Sequence, residues 1–203
     1  MKTLLMHLAA ACCLAAGVYA QESTIGVYVD AAGTQCTGTT TGGVVIGSIW
    51  VDLAGVAAGG FTGAEFRIDN SQMANTTVSV SPDPNANIVL GDAFNQAGTN
   101  IVYPTCQTGP RVRLATFTLV EMAPVSDIWL QVTQKYTPTN WTFNCPLLTL
   151  CDGPVYTAVC VGERNNSVHW TSVLNPSVGI SAACLPVSVT NTSWSQVKDL
   201  YRN

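Results

Sequence analysis

Between residues 59 and 70 the chain reads Gly-Gly-Phe-Thr-Gly-Ala-Glu-Phe-Arg-Ile-Asp-Asn, and no other stretch constrains the fold as strongly. Ala64, Phe66 and Ile68 fall on one side of an extended backbone; Glu65, Arg67 and Asp69 fall on the other. Alternation with period two describes a strand with one face on a core. Gly59, Gly60 and Gly63 lead in and Asn70-Ser71 lead out, so breakers flank it on both sides. The same design recurs with weaker contrast at 25–29, 43–53, 76–80, 87–90, 100–103, 111–121 and 127–133. Gly47 has no side chain to pack, so it marks a bulge or a close backbone approach. Eight or so short strands between Gly/Pro turns specify an all-β, jelly-roll or immunoglobulin-like antiparallel sandwich.

The ends of the chain follow different rules. Residues 1–20 carry Lys2, an apolar run and a Val18-Tyr19-Ala20 ending, the pattern of a secretory signal peptide. The run is too short to span a bilayer. A lipid anchor on Cys12 is disfavoured, because the large aliphatic residue usual three positions earlier is missing. Near the other end, Trp194, Val197, Leu200 and Tyr201 recur at spacings of three and four behind Ser193, which describes a short amphipathic helix with an N-cap. Roughly ten residues do not hold a helix alone in water. This tail therefore docks on its own sandwich or acts as a docking or sorting element for a partner.

Six cysteines follow the leader: Cys36, Cys106, Cys145, Cys151, Cys160 and Cys184. An even number in an exported chain reads as disulfides, and the close pairs of a zinc site are absent. Asp152-Gly153 lies between two apolar runs and reads as a two-residue hairpin turn. That turn sets Leu148 opposite Thr157 and Cys145 opposite Cys160, within disulfide reach. Pro154 beside the turn counts against this register, since it removes a ladder hydrogen bond. With Cys145–Cys160 formed, Cys36, Cys106, Cys151 and Cys184 retain three pairings. The expected organisation is a sandwich over 21–135, a cysteine-rich β extension packed on it over 136–190, and a helical tail over 191–203.

Composition excludes several function classes. Only 10% of residues are charged, and the mature chain holds 7 basic against 12 acidic side chains once Lys2 is removed. That balance argues against nucleic-acid binding, which needs clustered cations. No second apolar run is long enough to cross a membrane. Asp83-x-Asn85-x-Asn87 resembles the start of a calcium loop, but Ile88 stands where the turn glycine belongs and Phe94 where the closing Glu belongs. An Asx turn is the better reading. His169 lacks a serine elbow and reads as a strand histidine. Glu65 and Asp69 share a face with Arg67, which describes a solvated ion-paired surface rather than a glycosidase pair. The sequons at Asn75, Asn140, Asn165 and Asn191 matter only in a eukaryotic secretory route.

Two tryptophans stand on otherwise polar strand faces: Trp50 with Ser48 and Asp52, Trp129 with Asp127 and Gln131. A flat indole matches the C–H face of a pyranose. If both strands share a sheet, the two rings line one sugar-binding surface; otherwise other parts of the chain cover them.

The segments 43–53, Gly60-x-x-Gly63-Ala64-Glu65-Phe66-Arg67-Ile68-Asp69 and Arg113-Leu114-Ala115-Thr116-Phe117 resemble the strand pattern of the cohesin-like and carbohydrate-binding-module β-sandwich superfamily, over about residues 21–135. The resemblance implies a jelly-roll sandwich that binds and does not catalyse. The segment Cys145-Pro-Leu-Leu-Thr-Leu-Cys151-Asp152 and the ending Trp194-x-x-Val197-Lys198-x-Leu200-Tyr201 are similar to uncharacterised secreted proteins of uncultured bacteria. The resulting expectation is a bacterial exported binding or structural module without a cofactor. It would act in the extracellular space or at the cell surface, with the periplasm as the alternative compartment, and meet a protein or a polysaccharide there. A carbohydrate-binding module using Trp50 and Trp129 is the first alternative, and a secreted hydrolase a weaker one.

Overall fold

The computed structural model describes residues 23–40, 43–69, 73, 75–138, 145–151, 158–161 and 172–177. The expected leader, His169, Cys184 and the helical expectation at 194–201 lie outside these residues. The strands are β1 (Thr24–Tyr28), β2 (Thr37–Gly38), β3 (Val44–Asp52), β4 (Phe61–Asp69), β5 (Thr76–Pro82), β6 (Ile88–Asp92), β7 (Gly98–Gln107), β8 (Arg111–Glu121), β9 (Ile128–Thr133), β10 (Leu147–Leu150), β11 (Ala158–Cys160) and β12 (Ser172–Leu174). They form two sheets, almost wholly antiparallel. The first runs β1-β3-β8-β5. The second runs β11-β10-β4-β9-β12-β2, with β7 beside β4 and β6 beside β7. The all-β sandwich read from the alternation is the observed architecture.

Strand β4, the clearest alternation in the sequence, is the hub of the second sheet. Phe61, Gly63, Ala64 and Glu65 of β4 pair with both β7 and β10, and Arg67, Ile68 and Asp69 pair with β9. Ala64, Phe66 and Ile68 are buried and meet Ile49, Leu114, Phe117 and Leu119 of the first sheet in one apolar core. Strands β10 and β12 come from the cysteine-rich part of the chain and hydrogen-bond directly to β4 and β9.

Three features differ from expectation. Leu147, not Cys145, stands opposite Cys160, and Leu148 faces Val159 instead of Thr157. The register has slid by two residues. A slide of two leaves every side chain on its original face, so hydrophobic alternation does not distinguish the two registers. Second, the outer face of β4 is not evenly solvated: Arg67 and Asp69 are half-buried and Glu65 is buried. Glu65 is only 8% exposed. It lies between Asn100 of β7 and Leu147 of β10. Beside it Arg67 Nε donates to Thr133 Oγ1 at 3.0 Å and to the Gln134 carbonyl at 3.1 Å.

The third feature is a β-bulge. Ile49 pairs with Ala115 but Trp50 pairs with Arg113, leaving Leu114 as the extra residue of β8. An extra residue reverses the facing of everything beyond it. Leu114 and Ala115 are therefore both buried, while Arg113 and Arg111 move to the outer face beside Trp50 and Asp52. Gly47 is not the bulge; it is the close approach. A Cβ built there would lie 2.2 Å from Phe117 Cζ and 2.4 Å from the Tyr28 carbonyl oxygen.

Candidate functional site

Trp50 and Trp129 sit on different sheets, β3 in the first and β9 in the second, so they do not line one surface. Trp129 is half-buried and stands opposite Val173 of β12. Trp50 belongs to a closed cluster. The Arg111 guanidinium carbon lies 4.8 Å from the Trp50 ring centroid and 4.7 Å from that of Tyr28. Arg111 Nε is 3.2 Å from Asp52 Oδ1. Arg111 Nη2 donates to the Gly33 carbonyl, and the indole N–H of Trp50 donates to Ser48 Oγ at 2.8 Å. Gly33, at φ +71°, presses on the indole so closely that a Cβ would fall 2.3 Å from Nε1. The indole is thereby occupied by the chain's own loop and arginine. Burial raises the Asp52 pKa, and the pull of Arg111 does not offset it. Burial, then Asp52, raises that of Tyr28. The cluster fastens the 30–36 loop to the sheet, with the Arg111 guanidinium over the indole and the Gly33 backbone against its edge.

Four other carboxylates do similar work. Asp30 Oδ1 accepts the N–H groups of Thr34 and Gln35 at 2.8 and 2.7 Å. Burial alone would raise its pKa, but these bonds outweigh it and the value is lowered. Glu121 accepts from the Thr40 hydroxyl and the Val125 N–H, and these two lower its pKa. Asn175, at φ +49°, completes that clasp: its Nδ2 donates to Thr40 Oγ1 and to the Val125 carbonyl, both at 2.9 Å. Its Oδ1 accepts the Thr40 N–H at 2.8 Å, which fixes the amide orientation. Asp127 takes the hydroxyl and N–H of Ser177, and both lower its pKa. Asp83 makes the expected Asx turn, accepting Asn85 N–H at 2.9 Å. Among the described residues no group of three or more His, Cys, Asp or Glu could hold a metal ion.

These shifts predict an acid limb of stability. A carboxyl whose pKa falls on folding stabilises the fold above its unfolded value and loses that contribution as pH drops through the folded value. Asp30, Glu121 and Asp127 act in this sense, and among the described carboxyls Asp52 opposes them. The urea midpoint should hold from about pH 7 to about pH 5 and fall below about pH 4. In Glu121→Gln the limb should be shallower; an unchanged limb would contradict the role given to Glu121.

What the sequence pattern did not single out is aliphatic surface. On the outer face of the first sheet, Val44 faces Val120 and Ile46 lies one pair along, with Ile46 57% exposed. On the second sheet Ile88, Leu90 and Val102 stand outward at the β6–β7 edge. Doublets of aliphatic residues at both strand ends were the available signal, but alternation assigns one face of each strand to the core without saying that the other stays open.

The disulfide Cys106–Cys151 joins β7 to the end of β10, with Cα atoms 5.7 Å apart. Cys36 and Cys145 are also disulfide-bonded. The directly opposed geometry expected for Cys145 and Cys160 is absent, and the Cys160 side chain lies outside the described residues, as does the tail with Trp194, Val197, Leu200 and Tyr201.

No family model matches this chain, and no curated protein matches it. Among solved structures it is similar to the sixth cohesin of scaffoldin B from Acetivibrio cellulolyticus, determined in complex with a dockerin. Identity is 11%, the TM-score is 0.47, and the match covers 77% of this chain and 100% of that one.

Proposed function

We propose that this chain is an exported, non-catalytic binding or structural module of the bacterial cell surface or extracellular space, which meets a protein partner through its sandwich surface. The observation that carries this reading is where the chain places its chemistry. Asp30, Asp52, Glu121 and Asp127 hold loops to the sheets, whereas Val44, Ile46 and Val120 are left at the surface. Contiguous exposed aliphatic side chains on a sheet face mark an interaction surface. The disulfides support an oxidising compartment. The segment from Trp194 to Tyr201 serves in this reading as a docking or sorting element.

The test is expression of the full chain in a bacterial host, with fractionation of cell surface and medium. Deleting 194–203, and separately the pair Ile46→Lys and Val120→Lys, should each shift the folded protein from the surface to the medium. Unchanged retention in both, or turnover of a polysaccharide or peptide by the purified protein, would overturn the reading.

A further inference from the structure

We infer that β6 is a homotypic pairing edge, through which two copies of this chain join β6 to β6 in antiparallel about a twofold axis at Val89. Among the described residues β6 hydrogen-bonds only to β7. All five of its residues are exposed, Leu90 at 60%. Natural edge strands are guarded by charge, proline or a covering element. The two edge strands of the first sheet follow that rule: β1 is buried from Ile25 to Tyr28, and β5 ends in Pro82 with polar Thr77, Ser79 and Ser81 exposed. Strand β6 does not over four of its five residues: Ile88, Val89, Leu90 and Gly91 carry neither charge nor proline, and its one charge, Asp92, stands at the end, where it accepts the Phe94 N–H at 2.9 Å.

The register follows from symmetry and side-chain chemistry. A twofold perpendicular to the sheet keeps outer faces outer, so it must pass through a residue and not between two. An axis at Leu90 would set Ile88 against Asp92 twice, a carboxylate on an aliphatic side chain. An axis at Val89 sets Ile88 against the mate's Leu90 twice, next to Val102, which shares the outer face with Ile88. It also brings the two Val89 side chains together on the inner face. There the sandwich opens between β5 and β6 into a cleft of about 100 Å³ that Val89 lines together with Phe66, Val80, Ile101, Ala115 and Asp92. One arrangement thus covers both the outer aliphatic residues and the cleft. Pairing by five residues a side buries less than a standard interface, so the dimer should be weak, with Kd in the range of about 10 μM to 1 mM.

Sedimentation of the oxidised full chain over about 5 μM to 1 mM should show the mean mass rising from monomer towards dimer. Leu90→Lys alone and Ile88→Glu alone should each remain monomeric while keeping the wild-type circular dichroism. Mixing the two variants should restore association, because the carboxylate introduced at position 88 of one copy then faces the ammonium introduced at position 90 of the other. A wild type that stays monomeric throughout overturns the proposal, as does a Leu90→Lys protein that still dimerises. A mixture that associates no better than its components overturns the register.

Discussion

Replacing Gly47 with alanine is expected to cost at least about 3 kcal/mol, against a typical domain stability of about 5–15 kcal/mol. Two obstacles meet at the missing Cβ. The Phe117 ring reaches to 2.2 Å at Cζ and 2.6 Å at Cε1, and the Tyr28 carbonyl oxygen to 2.4 Å. The ring is the end of a flexible side chain, although Phe94 packs edge-on at 5.0 Å and restricts its retreat. The carbonyl is backbone. Moving it displaces the end of β1, where Tyr28 pairs with Ser48. Urea unfolding of Gly47→Ala measures the total cost. Adding Phe117→Leu should recover only part of it, since the carbonyl remains. Stability within about 0.5 kcal/mol of wild type would show that the sheet yields more easily than this geometry implies.

Gly47 also illustrates what was legible in the sequence. A glycine in the middle of an alternating strand announces either a bulge or a close approach, and the chain shows the second. The bulge was legible elsewhere, in a signal that passed unused. From Arg111 the outward and inward residues alternate until Leu114-Ala115, where two apolar residues stand together and the phase reverses. That doublet is the bulged position, and it decides that Arg111 reaches Trp50. The fate of the tryptophans was not legible. Each was correctly placed on a polar face, but which strands share a sheet depends on pairings between distant segments, and β3 and β9 end up in opposite sheets. Glu65 shows the same limit. Its side of β4 is polar in sequence, yet Glu65 is buried, as is Leu147 directly opposite it on β10. Local alternation determines which way a residue points within its strand. Whether that direction leads to water depends on segments far away in the chain.

The second large effect is expected at the disulfide. Cys106→Ser with Cys151→Ser should destabilise the protein by about 4 kcal/mol, the loop-closure value for its separation of 45 residues. The position of the bridge explains why so much depends on it. Strands β7 and β10 flank β4 on opposite edges, and Phe61 at the start of β4 pairs with both Gln107 and Leu150. The bridge closes just beyond that point, where the Cys151 N–H donates to the Gly60 carbonyl at 3.2 Å. Gly60 makes the crossing feasible: at φ +109° it lies so near the bridge that a Cβ would fall 2.7 Å from Cys106 Sγ. The cystine therefore ties three strands at one end of the second sheet, and the glycines that lead into β4 keep the space for it. A non-reduced digest should return Cys106 joined to Cys151, and urea unfolding of the double serine variant should lose the stated stability. Gly60→Ala in the oxidised protein should also be destabilised, because φ is unsuitable for alanine and the sulfur blocks the Cβ. In the serine variant the sulfur obstacle disappears while the φ cost and the Gln107 carbonyl oxygen, 2.6 Å from the Cβ position, remain, so the penalty of Gly60→Ala should shrink without vanishing. An equal penalty in both backgrounds would mean that the glycine serves the turn alone and owes nothing to the bridge.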